Sequence, residues 1–295
     1  DFLLQKHGRL LSVEDDAPIP YTTFEPLSGS GYEVARVMEP MEVSYGAKVK
    51  LIGAAFGHTA QNRDEPPMAL DERRVEAGAS AWVVLRWEAE SSIDRNLKVS
   101  LRLLDESGHV AGQVDDLLVS DEWPFPRTWD AGELASTFHI LPTLPAIRPG
   151  SYRLYAVVYD EVSGEAFAPN TAGGISSGMA LIGSLEIARA SQSQFVHPDH
   201  PTDDTWCAGS ELCLLGFDLS SAQVQKGEVL GLTLYWDVRR TPGSDSVISA
   251  ELIDLRSGAV AASTSEAIGA SPPPRWSKGD VIRDWRDLAI PPELD

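Results

Sequence analysis

Side chains of the kinds that bind divalent metal ions are concentrated near residue 200: His197, Asp199, His200, Asp203 and Asp204. Imidazoles and carboxylates are ligands that suit zinc and similar ions. The surrounding residues 191–205 are mostly polar and contain prolines, which is the composition of an exposed linker. We therefore expect these side chains to be solvated, and we keep His197, Asp199 and His200 as the candidate ligands of a metal site.

Two patterns suggest catalysis, and neither has the context that catalysis needs. Ser176 lies in a Gly-Ile-Ser-Ser-Gly run, but a hydrolase nucleophile elbow requires a strand before the serine and a helix after it, and the sequence predicts a loop and then a strand. A glycosidase needs two facing carboxylates, and the 44 acidic residues give no basis for choosing a pair. Asp105 and Asp254 precede turns, where a short acceptor side chain caps the backbone. We predict no catalytic residue and no cofactor.

The two cysteines, Cys207 and Cys213, are too few for a disulfide framework and too far apart for a zinc knuckle. An oxidising compartment would permit a local disulfide. An extended chain between the two residues would, however, hold their Cα atoms beyond the roughly 7 Å limit for a disulfide. We therefore expect two free thiols, with the disulfide as the alternative.

Six aromatic residues fall outside the rows of side chains that are predicted to face a core: Trp82, Trp123, Phe125, Trp129, Trp276 and Trp285. Flat rings with a polar edge serve as platforms for sugars or as anchors in protein interfaces. Trp129 and Trp276 recur at equivalent positions of an internal repeat, which favours a framework role. We predict Trp82, Trp123 and Phe125 as binding residues.

Composition excludes several classes of protein. The 295 residues include 24 basic and 44 acidic ones, which gives a net charge of −20 and predicts no nucleic-acid partner. A hydrophobic content of 43% is enough to build ordinary cores, so the chain is folded and not disordered. No window approaches the roughly 20 apolar residues of a membrane span.

The sequence contains an internal repeat of four blocks in one order. The pairs are Gly46–Gly53 with Gly209–Gly216, Val75–Trp87 with Val224–Trp236, Val99–Asp105 with Ile248–Asp254, and Trp129–Glu133 with Trp276–Asp280. Because several matches in the same order rarely arise by chance, we expect two copies of one fold.

Apolar residues alternate within these blocks, which is the period of a strand and not of a helix. Turn residues recur about every ten positions. The pattern predicts an all-β protein of two tandem antiparallel sandwiches of immunoglobulin or fibronectin type, which bury Trp87 and Trp236 between their sheets. Tyr152 is expected to close a corner of the first sandwich.

We expect an extended lead-in over residues 1–40, a first sandwich over 41–190, a linker over 191–205 and a second sandwich over 206–295. The second copy reaches residue 295 before any counterpart of the closing strands that follow Pro149 in the first. Two missing strands would forfeit about 9 to 18 kcal/mol of apolar burial, which rivals the whole stability of a domain, about 5 to 15 kcal/mol. Either the chain was truncated, or another segment, the lead-in or a partner protein, completes the sheet.

Several segments resemble the accessory β-sandwich domain that follows the membrane part of bacterial glycosyltransferases of the protein-mannosyltransferase type: Trp276–Asp284, Leu288–Pro292, Leu214–Asp218 and Leu232–Trp236. Pro149–Tyr152 and Val158–Asp160 are similar to that domain's closing hairpin, and Thr137 stands where the second copy has Asp284. The resemblance implies that catalysis lies in a membrane part outside this sequence and that these domains lie outside the cytoplasm.

We therefore predict a non-catalytic, extracytoplasmic binding or assembly module that is membrane-associated through a segment outside this sequence. Its partner would be the membrane-anchored remainder of the same protein or a partner protein, with a glycan as a further ligand. The alternatives are a carbohydrate-active hydrolase with unidentified carboxylates and a structural subunit of a cell-envelope assembly.

Overall fold

A computed structural model of the chain describes residues 38–58, 73–120, 125–170, 178–203, 206–241, 247–268 and 276–293, together with the backbone of 8–14 and 21–26. These residues form strands, turns and a 3-10 helix at Pro126–Thr128, and they contain no α-helix. The predicted all-β class is confirmed. The chain divides into two compact units: unit 1 is 1–143 with 150–188, and unit 2 is 144–149 with 189–295.

The predicted lead-in contains a hairpin. Strand β1 (Gly8–Glu14) pairs with β2 (Tyr21–Pro26) in antiparallel fashion. These two strands form a sheet of their own and pair with no other described strand.

Apart from this hairpin, the described residues of unit 1 form two β-sheets. Sheet 1 consists, in spatial order, of β12 (Pro169–Asn170), β3 (Glu39–Tyr45), β4 (Val49–His58), β6 (Ser80–Ala89) and β9 (Leu134–Pro142). Sheet 2 consists of β5 (Arg74–Glu76), β13 (Ala180–Ala188), β10 (Gly150–Asp160), β7 (Leu97–Leu104) and β8 (Val110–Leu117), with β11 (Ala166–Phe167) against β10. Neighbouring strands are antiparallel, except that β5 is parallel to β13.

The core of unit 1 lies between these sheets, where alternate side chains of facing strands meet. Trp87 is completely buried, as predicted, and the Tyr45 hydroxyl donates to the carbonyl of Ala156 at 3.3 Å, which links sheet 1 to sheet 2. The predicted corner residue Tyr152 is buried on β10. The alternating pattern of the sequence therefore identified the inward rows correctly.

Unit 2 contains one complete sheet and one hairpin. Sheet 3 consists of β14 (His200–Pro201), β16 (Leu212–Leu219), β17 (Val229–Val238) and β20 (Val281–Ala289), with β15 (Cys207–Ala208) against β16. Sheet 4 consists of β18 (Val247–Ile253) and β19 (Val260–Ala267). Trp236 is buried in a cluster with residues of β16, β17 and β20, as predicted.

Sheets 1 and 3 share one register around their buried tryptophans. Trp87 lies opposite Leu51, and Trp236 lies opposite Leu214. In both sheets the register shifts after that leucine, before a glycine two residues later. Because a bulge bends its strand and increases the twist, the same bulge at the same place gives the two sheets the same local bend.

The hairpin of sheet 4 corresponds to β7 and β8 of sheet 2. The register of β7 with β8 shifts between Leu103 and Leu104, and that of β18 with β19 shifts between Leu252 and Ile253, at the equivalent position of the repeat. Sheet 4 is therefore the counterpart of only two strands of sheet 2.

Candidate functional site

Among the described strands, β18 is paired on one side only. Its counterpart β7 lies between β8 and β10 and pairs with both. In unit 2, β18 pairs with β19, and no other described strand pairs with it. An unpaired edge presents a row of backbone donors and acceptors to which another strand can add.

The inward side chains of β18 are correspondingly less covered than those of β7. The three of β7 are fully buried: Val99, Leu101 and Leu103. The three of β18 are half-buried: Ile248, Ala250 and Leu252. Comparison of the two copies thus attributes the difference in burial to the strands that flank β7 in sheet 2.

Apolar side chains are also exposed on and beside the hairpin. The exposed fraction is 60% for Val247, 48% for Ile253 and 52% for Val260. Glu251, in the middle of β18, is exposed as well. Ile253 and Val260 lie opposite each other across the hairpin, and exposed apolar residues that neighbour each other are more typical of an interaction surface than isolated ones.

A chain of hydrogen bonds, which is buried except at Asp116, links the two sheets of unit 1. Trp87 Nε1 donates to Thr137 Oγ1 at 2.9 Å, Thr137 Oγ1 lies 2.8 Å from His139 Nε2, and His139 Nδ1 lies 3.0 Å from Asp116 Oδ2. Because the tryptophan N–H can only donate, Thr137 Oγ1 accepts from it, and the same hydroxyl contacts His139 Nε2, while His139 Nδ1 contacts Asp116.

This arrangement has the order of a hydroxyl, histidine and carboxylate triad, but it cannot act on a substrate. Thr137 and His139 are each 1% exposed, and the threonine hydroxyl already makes two hydrogen bonds in the core. A nucleophile must reach the atom that it attacks. The chain is therefore a structural tie, and sequence reasoning singled out Thr137 without finding its partners.

Unit 2 has an ionic tie at the equivalent place. Arg286 donates to Asp284 Oδ2 at 2.8 and 3.0 Å and to the carbonyl of Ala267 at 3.1 Å. Its other nitrogen lies 3.6 Å from Glu266 Oε2. By the register of the repeat, Arg286 and Glu266 are the counterparts of His139 and Asp116. Each pair joins the last strand of the large sheet to the hairpin.

Cys207 and Cys213 form a disulfide, so the expectation of free thiols was wrong. The chain between them is not extended: it reverses at Gly209, whose φ is +64°, and places the cysteines opposite each other on β15 and β16. Their Cα atoms are 4.0 Å apart. A disulfide is compatible with an extracellular location.

Trp82 is not a surface residue, contrary to the prediction. It faces away from the core of unit 1, as expected, but it is 0% exposed because it packs with Ala55, Val84 and Phe138. The alternation of the sequence predicted correctly which face of β6 carries Trp82. It could not show that other residues cover this face.

Of the other two predicted binding residues, the structure describes Phe125 but not Trp123. Phe125 is 38% exposed, with the Arg127 guanidinium 5.4 Å from its ring centre. Trp123 lies outside the described residues, and so does Ser176. Trp129 and Trp276, predicted to be framework residues, are both buried, and Trp285 is half-buried.

The candidate metal ligands His197, Asp199 and His200 are all exposed. The His200 ring stacks on Phe217 with 4.8 Å between centroids, and the Asp199 backbone N–H donates to Asp218 Oδ1 at 2.6 Å. Within the part of the chain that the structure describes, no three His, Cys, Asp or Glu residues are grouped so that they could hold a metal ion.

The carboxylates of Asp105 and Asp254 cap turns, as predicted. Asp105 Oδ1 accepts from the backbone N–H groups of Ser107 and His109 at 2.9 and 2.8 Å, and Asp254 Oδ1 accepts from that of Arg256 at 2.7 Å. The hydrogen bond from Arg256 lowers the pKa of Asp254. These two aspartates are turn residues and not a catalytic pair.

A polar cluster lies on the outward face of sheet 3. The Tyr235 hydroxyl donates to Asp218 Oδ2 at 2.5 Å, and the Arg283 guanidinium lies 4.7 Å from the Tyr235 ring centre. Burial raises the pKa of Tyr235 to about 12, and the hydrogen bond to Asp218 adds to the effect. Burial also lowers the pKa of Arg283, whose backbone N–H donates to the carbonyl of Ala146 at 2.7 Å.

The chain was compared with protein-family models and with curated proteins. No family model matches it, and no curated protein matches it. Among the described residues, no helix has the length and apolar character needed to cross a membrane.

Proposed function

We propose that this chain is a non-catalytic binding and assembly module that works outside the cytoplasm as part of a membrane-associated protein. The observation that carries the proposal is the edge of β18 that no other described strand covers, whereas its counterpart β7 is paired on both sides. Because an uncovered sheet edge can be completed by a strand from the rest of the same protein or from a partner, such an edge beside exposed apolar side chains suits an assembly role.

Two further features support the proposed location outside the cytoplasm. The Cys207–Cys213 disulfide is compatible with an oxidising compartment. The resemblance to the accessory domain of bacterial protein-mannosyltransferase-type enzymes supports attachment to a membrane protein and makes a glycan a second ligand class. Both features are independent of the edge.

The test is retention of the purified chain on the extracytoplasmic membrane fraction of its source. Ala250→Lys places a charge on the inward face of the edge strand, a device that blocks strand addition, and Ile253→Lys adds an outward charge at an exposed site. Ser263→Lys, on the exposed face of β19, is the matched control. We expect both edge variants to lose retention and the control to keep it.

Equal retention of all variants would contradict the proposal. Hydrolysis of an oligosaccharide panel by the wild-type chain would favour the hydrolase alternative. Circular dichroism of each variant separates loss of binding from loss of the fold.

A further inference from the structure

We infer that the outward face of sheet 2 binds an oligosaccharide whose sugars carry carboxylate groups. This inference rests on the proposed binding function, and it names both a ligand class and the surface that holds the ligand. The surface consists of the outward side chains of β8, β7 and β10, which are neighbours in sheet 2. It belongs to unit 1 and uses no residue of β18.

Two tyrosines form the aromatic part of this face. Tyr155 and Tyr159 are half-buried on β10, and Val157 lies between them in the same outward row. Four residues of a strand span about 13 Å, so one extended oligosaccharide can reach both rings whereas a monosaccharide cannot. The faces of aromatic rings pack against the C–H groups of a sugar, while its hydroxyls stay available for hydrogen bonds.

A hydrogen-bond network across the three strands orients the polar side chains of this face. The Tyr159 hydroxyl donates to Asp115 Oδ1 at 3.1 Å, and the Gln113 amide donates to Asp115 Oδ2 at 2.7 Å. The Ser100 hydroxyl donates to Asp115 as well and accepts from Arg102 Nε at 3.1 Å. Burial disfavours the charged form of Asp115, but these hydrogen bonds outweigh burial and lower its pKa. Asp115 is therefore a fixed carboxylate, which can accept from the hydroxyls of a sugar.

Three cations border this network: Lys98 and Arg102 on β7 and Arg153 on β10. None of the three forms an ion pair with another described residue, although the chain has 44 acidic residues. The Nε of Arg102 is engaged by Ser100, and its two terminal nitrogens make no hydrogen bond with a described residue. Because a guanidinium fork matches the two oxygens of a carboxylate, Arg102 is the residue that selects an acidic sugar.

The second copy of the repeat shows that the fold does not require this network. The inward rows of the equivalent strands are apolar in both copies. On the outward face, Glu251 stands in place of Arg102, and Ser265 stands in place of Asp115. The cations and the carboxylate of unit 1 are therefore additions to the framework and not a part of its packing.

An acidic oligosaccharide fits this face better than an acidic peptide does. A uronic acid presents hydroxyl donors to Asp115 and a carboxylate to Arg102 at the same time, whereas the side chains of an acidic peptide would be repelled by Asp115. A peptide also cannot add as a strand, because β7 and β10 are each paired on both sides. The favoured ligand is thus a uronate oligomer that lies across the tyrosines.

The probes are oligomers of galacturonate, glucuronate or mannuronate, and their binding to the whole chain is measured by isothermal titration calorimetry. The methyl ester of each oligomer is the matched probe, because it keeps the sugar rings and hydroxyls and lacks the charge. We expect an acidic oligomer to bind and its ester to bind about tenfold more weakly, since the ester cannot make charge-assisted hydrogen bonds.

Four variants test the surface. Arg102→Glu introduces the residue of the second copy, and Tyr155→Ala removes one ring; each is expected to weaken binding about tenfold. Arg102→Lys keeps the charge without the fork and is expected to weaken binding less than Arg102→Glu does. Arg256→Glu makes the same change of charge at an exposed side chain of unit 2 and is the control. Circular dichroism and thermal melts identify any variant that fails to fold.

Equal binding of an acidic oligomer and its ester, or binding that Arg102→Glu and Tyr155→Ala leave unchanged, would overturn the inference. The same holds if none of the three oligomers binds, or if a polyglutamate peptide competes equally well for the site. Membrane retention that depends on β18 in the absence of oligosaccharide binding would leave the proposed function standing and remove only this inference. Oligosaccharide binding without β18-dependent retention would support the inference and remove the assembly role.

Discussion

Thr137→Val is the change that most directly tests the buried tie of unit 1. Valine has nearly the shape of threonine but lacks the hydroxyl, so Trp87 Nε1–H and His139 Nε2 both lose their hydrogen-bond partner. Both side chains are at most 1% exposed, so water does not replace the hydroxyl. A buried polar group without a partner costs about 1–3 kcal/mol, so the two together should lower the stability of unit 1 by about 2–6 kcal/mol.

The measurement is denaturant unfolding combined with amide hydrogen exchange in β6 and β9, because two compact units can unfold separately. Thr233→Val, at a half-buried position of β17, is the control, with an expected change within about 0.5 kcal/mol. In a Trp87→Phe background, Thr137→Val should cost less, because one of the two orphaned groups is already gone. A loss no larger than that of the control would refute the assigned role of the threonine.

Three further outcomes follow from particular contacts. Reduction of Cys207–Cys213 should lower the stability of unit 2 by about 2 kcal/mol, the entropy of closing so short a loop, and thermal melts with and without reductant, against a double serine variant, measure it. Tyr235 holds its proton more tightly in the folded state, with a pKa of about 12 against 10.0 when unfolded. Its contribution to stability is therefore complete below pH 10 and is lost as the pH rises toward 12, and Tyr235→Phe should remove that loss from alkaline unfolding curves. Gly183→Ala would place a Cβ 2.3 Å from the Phe56 ring, and should cost unit 1 about 1–3 kcal/mol, partly restored by Phe56→Leu in urea unfolding.

The features that sequence reasoning predicted correctly are local or periodic. Alternation placed Trp87 and Trp236 in cores, because side chains of a strand point to opposite faces in turn. Asp105 and Asp254 were assigned to turns because a short carboxylate accepts from backbone N–H groups that follow it closely. None of these predictions required knowledge of which strands meet.

The features that it missed depend on tertiary neighbours. Trp82 has its predicted orientation, yet residues from β4 and β9 bury it. The disulfide needed a chain reversal between the cysteines that their spacing alone does not reveal. His139 and Asp116 lie on different sheets, and only the packing of those sheets brings them within 3.0 Å. An aromatic ring or an ionisable group therefore acquires its role from a partner that periodicity does not identify.

The two units attach their hairpins by different contacts. This difference concerns how the edge of β18 stays uncovered by the other described strands. In unit 1, β7 and β8 are held by their neighbours in a larger sheet as well as by the hydrogen-bonded chain through His139. In unit 2, the hairpin of β18 and β19 has no such described neighbours, and it is attached to sheet 3 by an apolar cluster around Leu230 and Leu288 and by Arg286. A buried arginine is costly unless it is paired, and here Asp284, Glu266 and a carbonyl of β19 surround it. These contacts hold the hairpin in place without using the backbone groups of the β18 edge, which are thereby left for another strand.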